Sequence, residues 1–295
     1  MKFVKVPREI DTKLDQIDSV ATLPHIATEI LEVMRSQNSS MRKIAAVIEK
    51  DPSITVKILK IANSPLWGAV GKVESVQRAL VLLGLKQVSN IVIAISLYST
   101  FAQLKPNPYF NRDQFWRHSI ATAQIARKLC ATLNINFNGE EFVTGLIHDL
   151  GKIVMDQFFG DRFKAIVEDA KRNGGSYVEI EKKHMDCTHA DIGAALLERW
   201  NFPGSIVMSI QYHHIPDQAP DYREMVSMIN LANQLAKYWE FPDNNGNVSS
   251  LQKLPSWRTL TKAYPDCANF DLEEFLTELN SEMDRNASIG KLISI

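Results

Sequence analysis

The chain holds 295 residues, 45% hydrophobic and 23% charged, with 33 Lys+Arg against 34 Asp+Glu for a formal charge of −1 at pH 7. That length allows about two domains of ~150 residues and a core that needs no disulfide or metal staple. The charge balance argues against a protein built to wrap nucleic acid, which needs clustered cations, and the longest apolar runs, Ile91 to Ile95 among them, fall far short of the ~20 residues of a membrane span.

The hydrophobic period is helical nearly throughout, and no segment reads clearly as a strand. Ile26, Ile30, Leu31 and Met34 stripe residues 24–36. Asp51-Pro52 is an N-cap followed by proline at the first helical position; Ile54, Ile58 and Ile61 mark one face until Asn63-Ser64-Pro65 stops the helix. Ser75 can cap a segment through Leu83, which Gly84 ends. Residues 86–102 are strongly apolar around Ile91, Val92, Ile95 and Leu97, and their length without a turn signal predicts a buried helix. Two prolines and two asparagines within 103–113 place the main boundary there. Further helices are expected at 114–133, 139–150, 155–173, 176–184, 189–200, 203–214, 221–239 and 271–286, the last capped by Asp271 with Glu274 three residues on. Residues 241–256 read as an exposed loop.

Cys130, Cys187 and Cys267 form no C-x-x-C pair, and the start of the chain has no apolar leader. Reduced thiols in a soluble, cytoplasmic protein are expected.

The chemistry concentrates in histidine. His25 alone precedes residue 105, while His118, His148, His184, His189, His213 and His214 fall within 118–214. His148-Asp149 sits at the end of an apolar helix (Phe142, Leu146, Ile147, Leu150) closed by Gly151, and His213-His214 ends another (Ile206, Ile210) closed by Pro216. His118 lies inside a helix beside Ile125 and Leu129. Imidazole nitrogens and a carboxylate are ligands for Fe, Mn, Zn or Ni, and one carboxylate can bridge two ions through its two oxygens. Ligands drawn from several helices build such sites inside bundles. A lone histidine on an apolar face is more often a hydrogen-bonded core residue; the weight lies in the combination.

Residues 115–214 resemble the core of HD-superfamily metal-dependent phosphohydrolases, through Phe115-Trp116-Arg117-His118 and Gly145-Leu146-Ile147-His148-Asp149-Leu150-Gly151-Lys152-Ile153. Upstream, Leu23-Pro24, Ile48-Glu49-Lys50-Asp51-Pro52-Ser53, Lys57-Ile58-Leu59-Lys60-Ile61-Ala62-Asn63-Ser64 and Ala79-Leu80-Val81-Leu82-Leu83-Gly84-Leu85 resemble the HDOD family of bacterial signalling domains. The likeness runs from about residue 16 to 240. It implies an all-α fold of two packed helical sub-bundles, 1–108 and 109–295, the second an HD-type bundle and the two packing as one unit.

The related HD-GYP phosphodiesterases cleave cyclic di-GMP with two or three metals. On their pattern His118, His148, Asp149, His189, His213 and His214 fall on metal-ligand positions, Asp149 bridges, and Lys152 meets substrate phosphate. The resemblance thus implies a divalent transition metal, two ions of Fe, Mn, Ni or Zn. Three departures stand out. Asn233 occupies the position of the final metal-binding aspartate, on a helical face with Val226, Ile229 and Ala236; Gln114 stands where three-metal members carry a carboxylate; and His214 runs into Ile215-Pro216-Asp217 without a Gly-Tyr-Pro segment. No third metal is expected, and specificity for cyclic di-GMP does not transfer.

His189, after the N-cap Thr188, opens a helix whose dipole favours a neutral ring. His184, after Glu181-Lys182-Lys183, is expected in solvent, and His25 at a cap or on the surface. Two functions remain open. One is a signalling protein that hydrolyses a nucleotide or other phosphoester at a two-metal site, with Asp149 and Lys152 as catalytic residues. The other is a non-catalytic regulatory module in which any metal is structural, a reading motivated by Asn233 and by the loss of catalytic residues common in HDOD proteins. Either expects an unidentified signalling partner protein, with a phosphoester or cyclic nucleotide as ligand. Lys57 and Lys60 share a helix, but they add no general basic field for nucleic acid.

Overall fold

The computed structural model describes residues 4–18, 24–36, 39–64, 72–102, 104, 107–240, 252–279 and 281. Among them fifteen α-helices follow one another as far as residue 263 and no strand forms, so the all-α expectation holds. They are α1 (Arg8–Asp18), α2 (His25–Arg35), α3 (Met41–Glu49), α4 (Pro52–Ala62), α5 (Val76–Leu83), α6 (Leu85–Ala102), α7 (Arg112–Thr132), α8 (Glu140–Ile147), α9 (Leu150–Phe158), α10 (Gly160–Asn173), α11 (Tyr177–Met185), α12 (His189–Arg199), α13 (Gly204–Tyr212), α14 (Arg223–Glu240) and α15 (Pro255–Ala263). Residues 272–279 are also helical. No described helix is long and apolar enough to cross a membrane.

Caps set many of the starts. Asp51 accepts from the Ser53 and Ile54 amides with Pro52 at the first turn, and Ser75 accepts from Arg78 N. Asn111 accepts from Gln114 N, and Thr188 with Asp191 forms a reciprocal capping box. Each satisfies N–H groups that a helix end would leave orphaned. Asp271 accepts from the Glu273 and Glu274 amides, as expected, although 282–286 of that helix lie outside the described residues.

Three expectations need correction, and two helices went unforeseen. The helix predicted over 139–150 ends at Ile147, and the next begins at Leu150, so His148-Asp149 sits in a break rather than at a glycine-closed terminus. The helix predicted over 155–173 is two, interrupted at Phe159 (φ −130°, ψ 36°). α1 and α3 were not foreseen. The loop expected over 241–256 gives way to α15 at Pro255, where proline starts a helix; 241–251 lie outside the described residues.

One hydrophobic core runs from Val4 through Ile44, Ile58, Leu80, Ile91 and Phe101 to Phe142, Ile153, Leu196 and Ile210, taking side chains from both sides of residue 108. A second gathers Ile125 and Leu129 of α7, Met228 and Ile229 of α14, Leu260 of α15, and Phe275 and Leu279. α7 stands between them, giving Ile120 and Ala123 to the first and Ile125 to the second.

Two glycines let backbones meet where the histidines gather. A Cβ on Gly145 of α8 would lie 2.7 Å from Ala123 Cα of α7, and one on Gly151 of α9 would lie 1.9 Å from His189 O at the start of α12. Gly151 therefore serves packing and does not end a helix. Gly151→Ala is expected to cost ~1–3 kcal/mol or more, as overpacking against backbone does. Gly160→Ala, with no atom within 4 Å of the added carbon, is expected to be neutral or stabilising by up to ~1 kcal/mol. Urea denaturation of both variants checks this, and equal stability would contradict the α9–α12 contact.

Candidate metal centre

Each candidate side chain is presented by a helix end or a tightly packed helix. The α8–α9 break puts His148 (φ −56°, ψ −33°) and Asp149 (φ −100°, ψ 11°) at consecutive turn positions facing the bundle interior. The close approach at Gly145 brings them to His118 of α7, and that at Gly151 brings them to His189. His213 and His214 follow the last turn of α13, where the Asn230 amide of α14 donates to His213 O at 2.7 Å. Asn230 Oδ1 in turn accepts from Ser256 Oγ of α15 at 2.7 Å.

Two groups of side chains share one carboxylate. Asp149, His189, His213 and His214 place ligand atoms within 4.8 Å of one another, as do His118, His148 and Asp149. Asp149 Oδ1 lies 3.0 Å from His189 Nε2 and 3.5 Å from His213 Nε2, while Oδ2 lies 3.4 Å from His148 Nε2. Lys152 Nζ donates to Oδ2 at 2.6 Å. His214 Nε2 is 3.0 Å from His189 Nε2.

The outer hydrogen bonds fix where two ring protons sit. His148 Nδ1 is 2.8 Å from Gly145 O, and His213 Nδ1 is 2.6 Å from Ile210 O. A carbonyl only accepts, so both rings carry the proton on Nδ1 and turn a bare Nε2 inward. These two Nε2 atoms and Asp149 Oδ1 are buried without a hydrogen-bond partner. Lone pairs thus face lone pairs, an arrangement that a cation relieves. Neutral imidazoles braced at Nδ1 around a carboxylate are the donor set and outer bonding of a transition-metal site.

The proton affinities follow. Burial holds His148 below its ordinary value and pushes His213 down to about 3. Burial, then the neighbouring His213 and His189, depress His214 further. For His189, burial is outweighed by the attraction of Glu181 and Asp149, and its value rises. Asp149 lies well below the usual carboxylate range: burial opposes this, but His148, Lys152 and His189 prevail. The pocket therefore attracts positive charge.

The structure brings together His118, His148, Asp149, His189, His213, His214, Lys152 and Asn233. Asn233 is 1% exposed, and its Oδ1 lies 3.0 Å from His118 Nε2. His25 stands apart, 86% exposed and paired with Glu29. His184 is not simply solvated: its Nε2 sits 2.8 Å from Asp169 and its side chain is 26% exposed. Hydrogen bonds from Lys183, His184 and Asn173 hold Asp169 well below its ordinary value.

Sequence reasoning missed Glu181. It is fully buried, accepts the His189 amide at 2.9 Å and contacts His189 Nδ1 at 2.7 Å. A signal existed, because Glu181 lies four residues after Tyr177 and four before Met185, on the inward stripe of α11 rather than with its charged neighbours.

The HDOD domain model matches residues 20–216, and the chain belongs to that family. An uncharacterised protein of Treponema pallidum is 28% identical over 247 residues; the match takes 79% of this chain and 47% of that protein, so the chain spans about half the length of that relative. Among solved structures, an HDOD domain protein of unknown function from Geobacter sulfurreducens is 24% identical, with a TM-score of 0.76 over 96% of this chain and 98% of that one. A Shewanella amazonensis protein named provisionally as a phosphohydrolase is 23% identical, with a TM-score of 0.72 over 95% and 97%. At these identities the structural likeness is one of fold.

Because the folded His213 value of about 3 lies below the ~6.5 of an unfolded histidine, the unfolded chain takes up this proton first on acidification. The stability contributed by His213 is then full above ~6.5 and declines as pH falls toward 3. In metal-stripped protein at pH 5, nitrogen NMR is expected to find the His213 ring neutral with its proton on Nδ1. A charged ring, or a proton on Nε2, would contradict this geometry.

Proposed function

We propose that the chain is a signalling module that binds a divalent transition metal at Asp149 and hydrolyses a phosphoester, such as that of a nucleotide, there. The observation that carries this reading is the convergence of His148 Nε2, His213 Nε2 and Asp149 Oδ1, buried and without hydrogen-bond partners. When bound, the metal supplies Lewis acidity and lowers the pKa of water. His189, His213, His214 and Asp149 would hold it, with Glu181 fixing the His189 ring. Lys152 uses one of its three N–H donors on Asp149, and its side chain is 23% exposed, so the remaining donors can meet a phosphoryl oxygen at the rim. The burial of the ligands keeps bulk water from weakening these charges. The name of the Shewanella relative agrees with this reading without carrying it.

A specific observation favours the second reading, a regulatory module with a structural metal. Asn233 brings an uncharged amide, and Asp149, His148 and His213 are 2%, 0% and 0% exposed, a nearly sealed site. In that case the bundle acts through a signalling partner protein.

The test is hydrolysis by manganese- or zinc-loaded protein across phosphomonoesters, phosphodiesters and cyclic dinucleotides. A rate that falls ~10²-fold or more in Asp149→Ala, with helical content retained, is expected. A rate unchanged by that substitution, or none in metal-loaded wild type, would overturn catalysis; the latter leaves the regulatory reading standing.

A further inference from the structure

The two halves of the centre are not equivalent. The geometry points to a protein built for a single ion, held by His189, His213, His214 and Asp149 Oδ1, with the ammonium of Lys152 standing where a second ion would share the carboxylate. This rests on the metal-binding reading above and departs from the two ions that the resemblance implies.

On the Oδ1 side, His213 Nε2 and Oδ1 itself have no hydrogen-bond partner. His189 Nε2 stands 3.0 Å from both Oδ1 and His214 Nε2. One cation can replace every one of these close approaches with a ligand bond, and three imidazoles with one carboxylate oxygen complete a tetrahedral set. The outer bonds already favour it: His189 is braced by Glu181 and His213 by Ile210 O.

On the Oδ2 side the same atoms are already used. Lys152 Nζ holds Oδ2 at 2.6 Å, so a positive charge is in place. His118 Nε2 is 3.0 Å from Asn233 Oδ1, and the amide oxygen only accepts, so that nitrogen carries a proton and offers no lone pair. Only His148 Nε2 remains bare. An ion here would have to displace an ammonium and break the His118–Asn233 bond, and in return it would gain a neutral amide where an aspartate would have supplied charge.

The experiment counts metal in full-length protein saturated with cobalt(II) or zinc and then desalted, with the cobalt visible spectrum as a second readout. One equivalent per chain is expected, with a tetrahedral cobalt spectrum. His118→Ala should keep that equivalent and spectrum, whereas His214→Ala should lose them. Lys152→Met combined with Asn233→Asp should raise the count to two. Circular dichroism confirms that each variant remains helical. Two equivalents in wild type, or loss of the ion in His118→Ala with retention in His214→Ala, would overturn the single-ion assignment while sparing metal binding. No metal in wild type would overturn the metal-binding reading and this inference with it.

Discussion

The interaction on which the structure turns is the burial of a carboxylate among imidazole nitrogens whose outer faces are already committed. Glu181, Gly145 O and Ile210 O take the Nδ1 sides of His189, His148 and His213. The Nε2 sides are left pointing at Asp149. Each buried acceptor without a donor costs ~1–3 kcal/mol, and a folded domain has only ~5–15 kcal/mol of net stability. Three such atoms at one point are therefore a considerable burden on a metal-free bundle, and a cation removes it. Lys152 relieves one oxygen only.

The bundle cannot easily relax this strain away. Helices α8 and α9 are pinned by backbone contacts at Gly145 and Gly151, and α12 begins at a capping box that fixes His189 as its first residue. The pair of buried Glu141 and half-buried Arg127, 3.2 Å apart, ties α8 to α7. Asn230 and Ser256 secure the His213 turn from α14 and α15, both beyond the residues that match the family model. The common core links α6 to α8, so the histidine-poor amino-terminal helices also help to hold the histidine-bearing ones.

Much of this was legible in the sequence because the signals were local. Asp51-Pro52, Ser75 and Thr188 announced their helices, and Gly84 its stop, through groups within a few residues of the backbone they serve. The crowding of six histidines into 118–214 and the pairs His148-Asp149 and His213-His214 were legible in the residues themselves, but the full set of seven expected ligands came only through the resemblance, since residues from 118 to 233 meet by tertiary packing. What failed was long-range or ambiguous. Glycine after an apolar run reads as a helix end, yet Gly151 exists to let α9 touch α12. Pro255 fell within the loop expected over 241–256, yet it starts α15. Glu181 was grouped with the exposed Lys182 and Lys183, although its place on the α11 stripe puts it under His189.

Bare imidazole nitrogens converging on Asp149 mark out a ligand set for a transition metal. X-ray absorption at the zinc edge of zinc-loaded protein tests it most directly. A four-coordinate first shell of nitrogen and oxygen at ~2.0–2.1 Å is expected, with the outer-shell scattering of about three imidazoles. A six-oxygen hydrated shell, or sulfur ligation, would contradict it.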